Sequence, residues 1–115
     1  MNNFWYNVGC EMPNKKETVL QDLINAVEFG VLIPSIHALE QMVNRGITMS
    51  DIEEVVYRAY REDHKDSLNN DGNDGNDWKY AVRGLNDNGG KDIRIIVAYL
   101  DEPKMLLITA IDKNK

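Results

Sequence analysis

A histidine and a few arginines, spaced so that several fall on shared faces, are the side chains of this chain with most to offer chemically. His37 follows Pro34-Ser35 and opens an apolar-periodic run, which places it in the first turn of a helix. The helix dipole there disfavours imidazolium, and a neutral imidazole can act as a general base. The same position equally suits a histidine that bonds nearby backbone and locks the helix to a sheet. Arg45, a little over two turns later, falls on roughly the same face. It can bind phosphate, or it can complement the helix C-terminus ahead of Gly46. Further on, period-two alternation puts Lys79, Ala81 and Arg83 on one strand face and Trp78, Tyr80 and Val82 on the other. Arg94, Ile96 and Ala98 alternate in the same way against Ile93, Ile95, Val97 and Tyr99. An arginine on each of two adjacent strands makes an anion clamp, because guanidinium pairs with phosphate through two parallel hydrogen bonds. The competing arrangement is a solvated face with cross-strand pairs to Asp92 or Asp101.

Other chemistries find less support. Asp71, Asn73, Gly75 and Asp77 supply oxygens at alternate positions, but counting from Asp71 the sixth residue is Asn76 and the twelfth Val82, where a calcium loop needs Gly and Glu. His64 has one other histidine in the chain, and Cys10 is the sole cysteine, so neither a zinc site nor an internal disulfide is expected. Walker, dinucleotide-binding and nucleophile-elbow motifs are absent, and no cofactor is expected.

These residues need elements to position them. Leu20, Leu23, Ile24 and Val27 predict a helix over 18–29 that Gly30 ends. Ser35 caps a second, running through Ile36, Leu39, Met42 and Val43 to Gly46. Thr48 with Asp51 forms a variant capping box for a third, short helix containing Ile52, Val55 and Val56. The short link at Gly46-Ile47 would suit a helix-turn-helix, but Asp51, Glu53 and Glu54 crowd the end that would meet phosphate, so helix packing is the better account. An edge strand is expected within 57–65, then a flexible loop over 67–77 rich in Asn, Asp and Gly. Strands follow at 78–83, 93–100 and 105–111, connected as a meander with the second one central, since Ile95-Ile96-Val97-Ala98 is apolar on both faces.

The expected fold is therefore α+β, two to three N-terminal helices on a three- to four-stranded antiparallel sheet, in one domain of 115 residues with a loosely ordered stretch at 1–17. Nothing in the sequence reads as a signal peptide or a membrane span, and a cytoplasmic location is expected. The net charge of −6 speaks against an indiscriminate nucleic-acid binder. Only residues 78–115 are net basic, so an anionic ligand should meet the sheet and not the helices.

The run Ile36-His37-Ala38-Leu39-Glu40-Gln41-Met42-Val43-Asn44-Arg45-Gly46-Ile47-Thr48, with Asp51-Ile52 and Val55, resembles the signature His-Ala-x-Glu-x-Met-x-x-Arg-Gly-Ile of a bacterial domain family of unknown function. Trp78-Lys79-Tyr80-Ala81-Val82-Arg83-Gly84, Ile95-Ile96-Val97 and Leu107-Ile108-Thr109-Ala110 resemble its strand motifs in order. That family is similar to RelE-like and MqsR-like toxins encoded beside an antitoxin. The resemblance implies a metal-independent messenger-RNA endoribonuclease with helices on one sheet face and RNA on the other, and an antitoxin as partner. His37, Arg45, Tyr80, Arg83 and Thr109 match the family's motif positions, and together with the strand-face reading this gives His37, Arg83 and Tyr80 as expected catalytic residues, with Arg45, Arg94, Lys79 and Thr109 binding substrate. A non-catalytic module that binds a partner protein is the other expectation, motivated by the acidic helices.

Overall fold

The computed structural model describes residues 14–68, 78–86 and 90–114. Residues 69–77, where most of the expected loop falls, and residues 1–13 of the expected loose N-terminal stretch lie outside the described residues.

Three helices form where capping and periodicity place them. The first, α1, spans Val19–Glu28, and the chain leaves it at Phe29 and turns at Gly30, whose φ of 73° is left-handed. A short strand, β1, follows at Leu32–Pro34. The second helix, α2, spans Ile36–Arg45; the Ser35 hydroxyl accepts the Ala38 N–H at 3.0 Å, and Gly46 closes the helix at φ 67°. The third, α3, spans Met49–Arg58 and opens on a reciprocal box: Asp51 N–H donates to Thr48 Oγ1 and Thr48 N–H to the Asp51 carboxylate, both at 3.0 Å.

The expected edge strand over 57–65 is shorter and interrupted. Tyr57 and Arg58 end α3, Tyr60–Arg61 form β2, Asp63–Lys65 make a 3-10 turn, and Ser67–Leu68 form β3. Ser67 and Leu68 thus belong to a ladder rather than to the loop expected from residue 67. Three long strands complete the chain: β4 at Trp78–Asn86, β5 at Lys91–Tyr99 and β6 at Met105–Asp112.

The sheet order is β1-β6-β5-β4-β2, with β3 paired to β4. The expected antiparallel meander forms β4, β5 and β6, and β5 is central. The sheet as a whole is mixed, with more strands than expected, because β1 pairs parallel to β6. All three helices bury one side against a single sheet face: Leu23 and Ala26 of α1, Ala38 and Met42 of α2, and Ile52, Val55 and Val56 of α3 join Tyr80, Val82, Ile93, Ile95, Val97 and Leu107 in one core. Alternation sends Arg83, Arg94, Ile96 and Thr109 to the opposite face, against which no α-helix packs among the described residues.

Beyond the end of β1, α2 takes over the edge of β6. Ser35 N–H bonds Leu107 O at 2.9 Å, the Ser35 hydroxyl donates to Ile108 O at 3.1 Å, and Gln41 Oε1 accepts the Ala110 N–H at 3.0 Å. The ladder register shifts at Ile96/Val97, opposite Ile108, where this handover occurs.

Candidate nucleic-acid interface

The open face carries the charged cluster that the strand periodicity predicts. Arg83 and Arg94 are direct cross-strand partners. Directly opposed residues in an antiparallel ladder lie about 4.5–5.5 Å apart, so the two positive charges would repel if nothing intervened. Two carboxylates intervene. Asp92 receives Arg83 through two bonds, Nε at 2.8 Å and Nη2 at 2.7 Å, which is the cross-strand pairing foreseen as the alternative to an open clamp. Glu62 receives Arg94 at 2.6 Å from Nε and 3.2 Å from Nη2, and Arg83 Nη1 at 3.3 Å. The chain of contacts runs Asp92, Arg83, Glu62, Arg94 and is formally neutral.

Burial and charge act in opposite directions on these groups. The Arg94 guanidinium holds the Glu62 carboxyl below its usual range against a burial effect that would raise it. The Arg83 hydrogen bonds do the same for Asp92. Both arginines are held above their usual value, Arg83 by Asp92 first and Arg94 by Glu62 first. All four groups are charged at neutral pH.

Glu62 reaches the cluster because the segment carrying it is fastened to the edge of β4. Its own N–H donates to Ala81 O at 2.9 Å. Beside it, Arg61 grips Asp66 through two bonds at 3.1 and 2.6 Å and stacks 5.2 Å from the centre of the Tyr80 ring. The Asp66 side chain is buried, and it also accepts the Ala81 N–H at 2.8 Å and Lys15 Nζ at 3.0 Å. Burial alone would raise its carboxyl, and these donors together bring it below the ordinary range.

The other predicted residues are distributed around this cluster. Thr109 opposes Ile96 on the same face, which makes it a diagonal neighbour of Arg94 at about 7–8 Å. His37 is exposed, one turn before Gln41 and on the same flank of α2, and so beside the β6 edge near Thr109. Lys79 lies at the far end of β4, opposite Ser67 of β3. Arg45 is eight residues past His37, about 12 Å along the helix, and does not join the histidine in one cluster.

Tyr80 is on the wrong face for a role beside Arg83. It is 1% exposed within the helix-covered core, its hydroxyl accepts the Lys16 N–H at 2.9 Å, and its ring meets that of Tyr99 edge-on. Adjacent parity along β4 separates it from Arg83, so a structural role replaces the catalytic one implied by the resemblance.

Sequence reasoning missed Glu62. A lone acidic residue after two strand-like positions carries no signal that it will turn inward, and its partners lie 21 and 32 residues away. Among the described residues no group of three or more His, Cys, Asp or Glu side chains is arranged to hold a metal ion, and no helix is long and apolar enough to cross a membrane.

Residues 35–112 match the family model of a domain of unknown function, DUF4258, from the Ser35 cap of α2 to the last residue of β6. No match was found among curated proteins or among solved structures.

Proposed function

Because the chain belongs to the DUF4258 family, whose description assigns no activity, its chemistry has to be argued from its own side chains, and we propose that it is a toxin-like, metal-independent endoribonuclease acting on the open sheet face. The observation that carries this reading is the Arg83–Arg94 pair, two guanidinium groups on the sheet face opposite the helices that jointly hold an oxyanion, the Glu62 carboxylate. In the proposed reaction a base, His37, takes the proton of a ribose 2′-hydroxyl, and the resulting alkoxide attacks the adjacent phosphorus. Arg83 and Arg94 stabilise the extra negative charge of the phosphorane. The P–O5′ bond then breaks, and the leaving oxygen receives a proton, giving a 2′,3′-cyclic phosphate and a 5′-hydroxyl end.

The test is RNA cleavage by purified protein in EDTA buffer. The expected result is cleavage with cyclic-phosphate ends, reduced at least about a hundredfold in His37→Ala and in Arg94→Ala. Intact RNA, together with harmless expression in cells, would end this reading.

A second reading, a module that binds a partner protein such as an antitoxin, is favoured by a different observation. Ile36, Leu39 and Val43 share the solvent-facing side of α2 and are 76%, 44% and 80% exposed. An apolar stripe of that kind is a protein-contact surface when something covers it. Val43→Asp should abolish capture of such a partner while leaving the fold intact.

A further inference from the structure

Resting on the reading above, the geometry at the two arginines says more about how a ligand would enter. Glu62 is 6% exposed, and one carboxylate oxygen takes Arg94 while the other is shared between Arg94 and Arg83. Arg83 does not depend on it, since Asp92 already fills two of its donors. Arg94 does, because no other carboxylate among the described residues bonds its guanidinium. The backbone bearing Glu62 is pinned through the Ala81 O bond and the Arg61–Asp66 pair, and neither of these contacts involves the Glu62 carboxylate. The side chain alone therefore has to move for the site to open.

We infer that Glu62 is an internal stand-in for a ligand phosphate: Arg83 and Arg94 form an oxyanion site that the Glu62 carboxylate occupies in the free protein and that a nucleic-acid phosphodiester enters by displacing it. Exchanging one charge-assisted partner for another is close to even at this single site. A displacing ligand must therefore gain from contacts beyond the pair, and a polyanion whose neighbouring phosphates reach the Thr109 and His37 side of the face can do so, whereas an isolated phosphate cannot.

The experiment compares the wild-type chain with Glu62→Gln, titrated with inorganic phosphate against chloride at matched ionic strength and separately with a short 2′-deoxy oligonucleotide that cannot be cleaved. Glu62→Gln should bind inorganic phosphate about tenfold or more tightly than wild type. The gain should vanish in the double variant Glu62→Gln/Arg94→Ala, and wild type should prefer the oligonucleotide to free phosphate. Equal phosphate affinity in wild type and Glu62→Gln overturns the inference. If Glu62→Gln does not fold unaided, its refolding is followed in graded phosphate: recovery with phosphate and not with chloride supports the inference, and no recovery overturns it. Tight phosphate binding without RNA cleavage would keep the oxyanion site and remove the ribonuclease reading. Cleavage by wild type with no gain in Glu62→Gln would do the reverse.

Discussion

Arg83 of β4 and Arg94 of β5 stand directly opposite one another in the antiparallel ladder, and both guanidinium groups reach the Glu62 carboxylate. Like charges so placed destabilise a sheet unless compensated, so the stability of this region depends on its carboxylates.

Arg94→Ala should therefore cost about 2–3 kcal/mol, because it leaves the buried Glu62 carboxylate with only the longer Arg83 contact. Urea unfolding would show it as a lower midpoint at unchanged slope. Glu62→Ala/Arg94→Ala should recover part of the loss, since both members of the pair are then gone and no unpaired charge is left buried. A double variant no more stable than the sum of two singles would mean that the two groups are not energetically coupled.

Stability should fall in acid, with a sign fixed by the carboxyl shifts. Glu62, Asp92 and Asp66 are all held below their ordinary values in the folded chain. The unfolded chain therefore binds more protons at pH values between the unfolded range, about 4, and the folded values. Their contribution is complete above about pH 4–5 and is lost as pH falls through the folded values. Unfolding free energies measured from pH 7 to pH 2 should be nearly level at first and then decline, and Glu62→Gln should decline less steeply. An identical decline in that variant would remove Glu62 from the account.

The caps and the meander were legible because their signals are local. Ser35, Gly46 and the Thr48–Asp51 box each act within a turn of helix, and Trp78, Ile95 and Leu107 each sit in a strand-length run of apolar residues. The pairing of β1 was not legible, since three residues carry no periodicity and their partners in β6 lie more than seventy residues away. The arginine face was half legible. Alternation placed Arg83 and Arg94 together, but only the folded β2 segment delivers Glu62 to them, and the resemblance that grouped Tyr80 with Arg83 joined residues on opposite faces.

The two apolar sides of α2 should behave differently on substitution. Periodicity grouped Ile36, Leu39, Met42 and Val43 as one core stripe, yet only Ala38 and Met42 are buried. The helix meets the β6 edge through Gln41, which turns the remaining apolar residues to solvent. Val43→Lys should change stability by less than about 0.5 kcal/mol, whereas Met42→Ala should cost about 2–3 kcal/mol. Thermal melts of the two variants would decide it, and a large loss for Val43→Lys would show that this side is covered within the protein itself.

Gly84→Ala should be among the most damaging single-methyl additions available. Gly84 lies on the helix-facing side of β4, next to Arg83, where α3 packs down on the strand. A methyl group there would sit 2.9 Å from Val55 O, 3.2 Å from Val55 Cγ1 and 3.3 Å from the Ala59 Cα. Two of those atoms are backbone, so no side-chain rotation relieves the clash, and α3 would have to lift from the sheet. An overpacking cost of about 1–3 kcal/mol follows. Because the strain falls on the helix side, the Arg83–Arg94 face opposite should keep its affinity for the uncleavable oligonucleotide in whatever fraction stays folded. Measuring the melting temperature and oligonucleotide binding of the same Gly84→Ala preparation separates the two: a lower melting point with unchanged affinity per folded molecule is expected, and loss of both together would show that the position of α3 also sets the geometry of the arginine pair.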